Sequence, residues 1–273
     1  MLVYILITFI ITQIKSELLP VVIVHGISSD ASQLVEVKQY LEKKGLYVFV
    51  PNVGNGKIDS LFKPMFNQYE LLKKEIQSDK KLENGFNLIG MSQGGLLARA
   101  YVERFTGTLF KVNNLITWVS PHGGILYINQ NLPNIYTSSS QSSNSFSNYW
   151  RDPRIYQTYL DDCVFLPTIN NEINTNYTQL QKNNLLSLNN LVVIWSTNDD
   201  VIKPQESGKF WTFDEKLNII PMNKTPYYDT LGLNILDNNY KLHIYQTNCS
   251  HEAHKLPECF NFLEENTLPY LFN

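Results

Sequence analysis

The sequence predicts an α/β fold with a mainly parallel central sheet flanked by helices on both faces. Three observations predict it. Apolar runs rich in β-branched residues recur along the chain, segments of helical period lie between them, and each run closes on a glycine, a proline or a polar loop. Strands covered on both faces read as continuous apolar runs, because neither side meets water.

In order, Leu19 to His25 (LPVVIVH) predicts the first strand, closed by Gly26. Leu34, Val37, Tyr40 and Leu41 then repeat at helical spacing ahead of Gly45. Leu46 to Val50 is the next strand, broken by Pro51, and a helix follows over about Pro64 to Gln77. Phe86 to Gly90 is a short strand, Gln93 to Phe105 a helix, and Leu115 to Ser120 a strand halted by Pro121. Late strands are expected at Leu191 to Ser196 and Leu242 to Thr247, with a last helix between Lys255 and Asn266. This alternation calls for right-handed crossovers. Between Pro121 and Asn190 the rhythm fails: a Ser/Asn-rich stretch, Thr137 to Asn148, precedes Tyr149-Trp150-Arg151-Asp152-Pro153. A linker between two domains would break the chain this way. The strands resume with the same character, however, which favours an insertion (about 121–190) in a single domain, 17–273, forming a lid or binding wall. A second insertion is expected from Phe210 to Asp237.

Composition bounds the function. The 273 residues carry 22 Lys+Arg against 25 Asp+Glu, a net charge of −3, and 43% of them are hydrophobic. That is ample for a core and leaves no basic excess for nucleic acid, so disorder and nucleic-acid binding are excluded. The run Met1 to Ile14 is too short to span a bilayer, which needs about 20 residues. It reads as the apolar part of a signal peptide, residues 1–16, with a buried first strand as the plainer alternative; no stable membrane span is expected in the mature chain. Sequons at Asn176, Asn223 and Asn248 fit a secretory route and glycosylation. Of the three cysteines, Cys249 and Cys259 are the plausible pair, since the loop between them is short, which leaves Cys163 over. No clustering of His and Cys suggests a metal.

The chemistry concentrates at Gly90-Met91-Ser92-Gln93-Gly94. This Gly-x-Ser-x-Gly follows a strand and opens a helix, the context a nucleophile elbow requires. Glycines two residues either side let strand and helix close on the turn, which lifts the serine hydroxyl above the sheet. Ile27, after the first strand, and Gln93 would supply backbone N–H donors to a developing oxyanion. His25 reads as a structural residue of that loop. A serine needs a base oriented by an acid, and on such folds the chain order is Ser, acid, His. The acid is Asp199 or Asp200, after the strand ending at Ser196. The base is His251 or His254, after the strand ending at Thr247. His122 precedes the acid and His243 lies within a strand, so both are poorer candidates.

At these residues the chain resembles the palmitoyl-protein thioesterases, from about Pro20 to Leu271. The resemblance is carried by VVIVHG, GFNLIGMSQGG, YWRDPRIYQTYL, FLPTINNE, NDDVIKPQESGKFW and TPYYDTLGLNILDN. It implies an α/β-hydrolase fold and a lysosomal or secreted glycoprotein that cleaves long-chain fatty acyl thioesters from cysteines. Its substrate would be an S-palmitoylated protein or peptide, or another long-chain acyl thioester, and it would need no metal or organic cofactor. Carried over by position, Ser92 matches the nucleophile, Asp199 the acid and His251 the base, with Ile27 and Gln93 at the oxyanion positions. The acyl chain needs an apolar groove; Trp118, Tyr127, Tyr149, Trp150, Tyr156, Phe165 and Trp211 are candidates to line it.

Overall fold

The computed structural model describes residues 18–130 and 132–272. The expected leader, residues 1–16, lies outside the described residues. Eight strands and eleven α-helices are present among the described residues. The strands are β1 (Val21–Val24), β2 (Val48–Phe49), β3 (Phe86–Met91), β4 (Val112–Trp118), β5 (Asn190–Ser196), β6 (Thr212–Phe213), β7 (Ile219–Ile220) and β8 (Leu242–Thr247). The helices are α1 (Val35–Lys43), α2 (Lys57–Phe62), α3 (Met65–Ser78), α4 (Gln93–Glu103), α5 (Ser138–Ser143), α6 (Tyr156–Asp162), α7 (Leu166–Ile169), α8 (Thr178–Leu186), α9 (Tyr227–Thr230), α10 (Leu233–Asn238) and α11 (Phe260–Asn266).

Six strands form one sheet in the order β2-β1-β3-β4-β5-β8, and every neighbouring pair is parallel. Even inside the continuous apolar runs, side chains alternate between two cores. Val22, Val24, Leu88, Leu115 and Val193 face α3, α4 and the 121–190 segment. Val21, Ile23, Ile89, Ile116, Val192 and Ile194 face α1 through Val37 and Leu41, and α11 through Leu263. In register, Val24 lies beside Gly90, Gly90 beside Thr117, and Ser196 beside Thr247. The loops leaving β1, β3, β5 and β8 therefore emerge along one edge, where ligands of open α/β sheets bind.

The strand expected over 46–50 shrinks to Val48–Phe49, since this edge strand pairs on one side only and Pro51 follows at once. Conversely, β4 starts at Val112, earlier than its apolar run. The polar start is sustained by an asparagine ladder: Asn114 Nδ2 donates to Asn87 Oδ1 (3.0 Å), and Asn190 Nδ2 donates to Asn114 Oδ1 (2.8 Å).

Residues 121–190 hold α5 to α8, with α8 packed on α4. Within the Ser/Asn-rich stretch Gln141, Ser145, Ser147 and Asn148 are buried. Asn148 accepts from the Met65 amide (2.8 Å) and donates to Gln141 O (2.9 Å). Gln141 Nε2 donates to the carbonyls of Ile135 (3.0 Å) and Ser147 (2.9 Å). These side chains do the hydrogen bonding that a short, irregular backbone cannot do for itself. Deeper in the same segment, Glu172 accepts from Arg151 Nη2 (2.9 Å), Tyr156 (3.0 Å) and Tyr159 (2.5 Å). Burial, the largest single influence, lowers the Arg151 guanidinium, but Glu172 together with Tyr159, Tyr227 and Tyr156 more than offsets it and the net direction is up. Asn170 continues the array, accepting from Arg99 Nη2 on α4 (2.6 Å).

Candidate active site

Ser92 is the residue between β3 and α4, with φ +56° and ψ −129°, a region other than glycine seldom visits. Two glycines permit it. A Cβ on Gly90 would stand 2.5 Å from the Gly94 carbonyl oxygen, and one on Gly94 would stand 2.3 Å from that of Val24. Backbone on both sides leaves no room for any side chain there, so the Gly-x-Ser-x-Gly spacing is a packing requirement.

Asp199 and His251 meet across the loops after β5 and β8. The ring Nδ1 donates to Asp199 Oδ2 at 2.9 Å, and both side chains are buried. Asp199 Oδ1 also accepts from the amides of Val201 and Ile202, each at 2.8 Å, which fixes the carboxylate. A carboxylate accepting at Nδ1 places the ring hydrogen there and leaves the Nε2 lone pair for the pocket. His251 and Ser92 line that pocket together, with Gly26, Ile27, Ser29, Leu34 and others; its volume is about 130 Å³. No direct hydrogen bond joins the two side chains among the described residues, a looseness usual before substrate binds.

The alternatives left open by spacing differ in geometry. Among the described residues Asp200 makes no hydrogen bond to the ring; its Oδ1 accepts from the His251 backbone amide (3.2 Å), and that N–H holds its carboxyl below the ordinary range. His254 turns Nδ1 to the carbonyls of Ser250 (2.9 Å) and His251 (3.2 Å), and burial lowers its pKa. His254 thus braces the loop that carries His251. His25 donates from Nδ1 to Gly26 O and accepts at Nε2 from the Val53 amide, which requires the neutral ring that burial also favours. His122 is fully buried against Phe210, and His243 pairs with Asn190.

Ile27 lines the pocket beside Ser92, and Gln93 is the first residue of α4. Among the described residues neither backbone N–H donates to another protein group. The Gln93 side chain is anchored away from the pocket: Nε2 donates to Ser60 O (2.9 Å) and Gln68 Oε1 (3.1 Å), and Oε1 accepts from the Tyr149 hydroxyl (3.0 Å). Sequence reasoning missed Gln68. Its signal was a polar residue on the apolar face of α3, beside Met65, Tyr69, Leu72 and Ile76. It also missed Glu252 and Lys255, which line the pocket just after His251.

Cys249 and Cys259 form a disulfide that closes the loop holding His251. Cys163 is a buried free thiol pushed up to about 12 by burial, which disfavours the thiolate. Asn176, Asn223 and Asn248 are all exposed. Of the aromatic candidates, Tyr127 borders an apolar groove near the site. Trp118 instead packs in the opposite core, and Phe165 is buried against Phe66.

A family model described as palmitoyl protein thioesterase matches residues 20–251. Palmitoyl-protein thioesterase 3 of Dictyostelium discoideum is 37% identical over 270 residues, covering 93% of this chain and 92% of that one. Lysosomal thioesterase PPT2-B of Xenopus laevis is 33% identical over 244 residues, covering 83% of each chain. Among solved structures, a chain from the work on LipS and LipT, two metagenome-derived lipolytic enzymes, superposes with a TM-score of 0.53 at 10% identity, covering 92% of both chains. Bacillus licheniformis lipase BlEst2 gives 0.51 at 13%, covering 94% of this chain and 93% of that one. At such identities these two speak for the fold alone, the α/β-hydrolase fold. With the family model spanning the loops that bear Ser92, Asp199 and His251, the chain belongs to the palmitoyl protein thioesterase family.

Proposed function

We propose that this chain hydrolyses long-chain fatty acyl thioesters, palmitoyl groups on cysteines of proteins or peptides among them, through an acyl-enzyme on Ser92. One observation carries the reading: His251, held by Asp199 at 2.9 Å, shares a pocket with a serine in an elbow conformation. His251 Nε2 takes the Ser92 proton as Oγ attacks the thioester carbonyl. The negative oxygen is received by the Ile27 and Gln93 amides, worth about 3–4 kcal/mol per donor in comparable sites. The carbon–sulfur bond breaks and the proton passes to the thiolate. Water then attacks the acyl-serine by the reverse proton path. A free thiol has a pKa near 8.5, so this leaving group asks little of the acid.

A pocket of about 130 Å³ is small against the ~300–1,000 Å³ of most ligand sites. A long acyl chain must therefore leave it. Past Val201 lies a groove of about 570 Å³ lined by Leu126, Tyr127, Ile128, Phe213 and Ile219, and Tyr127 is tied to the Val201 carbonyl at 2.6 Å. Each CH₂ buried along it contributes about 0.8 kcal/mol. The segment 121–190 thereby supplies one wall and the β6–β7 ribbon another. The same reading takes residues 1–16 as a cleaved leader, places the protein in the lysosome or outside the cell, and makes Asn176, Asn223 and Asn248 glycan acceptors. No helix of the described residues is long and apolar enough to cross a membrane.

The test is parallel turnover of a palmitoyl-cysteine peptide, palmitoyl-CoA and a matched oxygen ester, with Ser92→Ala as control. The thioesters are expected to be hydrolysed faster, and only by the wild type. Clear preference for the oxygen ester would make the protein a lipase or carboxylesterase of the same fold.

A further inference from the structure

In the reaction proposed above, His251 must hand its proton to the departing sulfur, so the thiol half of the substrate lies on the His251 side of the pocket. The wall there is built by the turn that follows His251 in the chain, and it contributes Glu252 and Lys255, with Ser29 also on the pocket. Lys255 is 7% exposed, and a lysine so buried needs an anionic partner. Its partner is Glu252, three residues before it, whose side chain is 64% exposed. A pair with one member so exposed is worth about 0–1 kcal/mol, so releasing the carboxylate to water costs little. Nothing in the hydrolytic chemistry itself uses this ammonium: the oxyanion has its two amides, and the base has its carboxylate.

We propose that Lys255 is a specificity-determining contact for an anion carried on the thiol half of the thioester, with Glu252 as the stand-in that the substrate anion displaces. The inference rests on the thioesterase reading and names its substrate class: acyl thioesters of small thiols bearing a carboxylate near the sulfur. An S-acyl cysteine with a free carboxylate has that chemistry; an S-acyl phosphopantetheine, whose phosphate lies at the far end of the pantetheine arm, does not.

Two substrate pairs with one common acyl chain test it. The first is S-acyl N-acetylcysteine against its carboxamide. The second is S-acyl 4′-phosphopantetheine against S-acyl pantetheine. The quantity read is the ratio of kcat/KM for the anionic member to that for the uncharged member. Lys255→Met is expected to lower this ratio about tenfold, mainly through KM, as loss of one charged hydrogen bond would. Lys255→Arg should restore most of it, and Glu252→Gln, at an exposed position, should raise it. The fall is expected in the first pair, while the second, with its phosphate remote from the sulfur, should stay near the wild type; a fall confined to the second pair would overturn the proposal. Ratios in Lys255→Met and Glu252→Gln within about twofold of the wild type in the first pair would overturn it equally. Should Lys255→Met fail to fold, the Glu252→Gln ratio alone decides. A wild type that hydrolyses neither member of either pair would instead remove the thioesterase reading, and this inference with it.

Discussion

Two buried carboxylates in this molecule each hold a basic partner, and they are built to opposite ends. Asp199 takes two backbone amides and one ring nitrogen, and the ring it orients keeps its second nitrogen for a pocket. Glu172 takes Arg151, Tyr156 and Tyr159, all side chains of the same segment, and so ties that segment to itself. Both are bonded by several donors, so burial and bonding alone do not tell a reactive acid from a structural one. The difference is what remains unspent. A pair that leaves a lone pair facing a cavity beside a strained hydroxyl is arranged for chemistry. A pair whose capacity is spent internally fixes one packing.

That contrast is broken most severely by exchanging the expected losses. Asp199→Asn should cut kcat by about 10⁴-fold, since the amide can no longer hold the required ring tautomer. The fold should survive, with Val201 and Ile202 still bonded to Oδ1, and a thermal melt within a few degrees of the wild type would show it. Glu172→Gln should do the reverse. Leaving the Arg151 guanidinium buried without its anion costs about 3–5 kcal/mol. Calorimetry should register this as a fall in Tm of roughly 10 °C, while kcat in the cold stays within severalfold of the wild type.

A third buried pair sharpens the comparison through pH. Arg99 Nε and Glu103 Oε1 lie 3.5 Å apart on α4, an ion pair aimed too poorly to serve either group as a hydrogen bond. Burial pushes the Glu103 carboxyl up to about 8, against the pull of Arg99, and burial also lowers Arg99. In the unfolded chain the same carboxyl ionises near 4.3. Between these values the folded state holds the extra proton. Glu103 thus contributes stability that is complete below pH ~4 and is lost as pH rises toward 8, at up to about 1.4 kcal/mol per pH unit. Melts at pH 5 and pH 8 should show the wild type losing Tm with rising pH, and Glu103→Gln losing clearly less. The smallest effect concerns the elbow's support. Tyr149→Phe removes one hydrogen bond from Gln93 Oε1 and should lower kcat several-fold, by about 1 kcal/mol, with KM little changed in steady-state assays.

How much was legible in the sequence follows from the same contrast. Val21–Val24 and Phe86–Met91 were readable because strands covered on both faces must be apolar throughout. The strained turn at Ser92 was readable because the glycines either side of it obey a steric rule that holds along the chain. Asp199 and Asp200 were not separable by spacing, since adjacent carboxylates differ only in which loop atom each meets: the ring for one, the His251 amide for the other. Thr137 to Asn148 read only as a polar stretch of an insertion, because the burial of Gln141, Ser145, Ser147 and Asn148 within it rests on hydrogen bonds to distant partners such as Met65 and Ser60, which composition does not reveal. Lys255 escaped notice for a similar reason. A lysine reads as surface until a fold closes over it.

The central claim is that Ser92 carries the acyl group. Quenching the protein during turnover of a palmitoyl thioester, followed by peptide mass mapping, tests it directly. The account predicts a palmitoyl ester on the peptide containing Ser92, enriched in the slow Asp199→Asn variant and absent from Ser92→Ala. Continued hydrolysis by Ser92→Ala, or an acyl adduct on any other residue in its place, would contradict it.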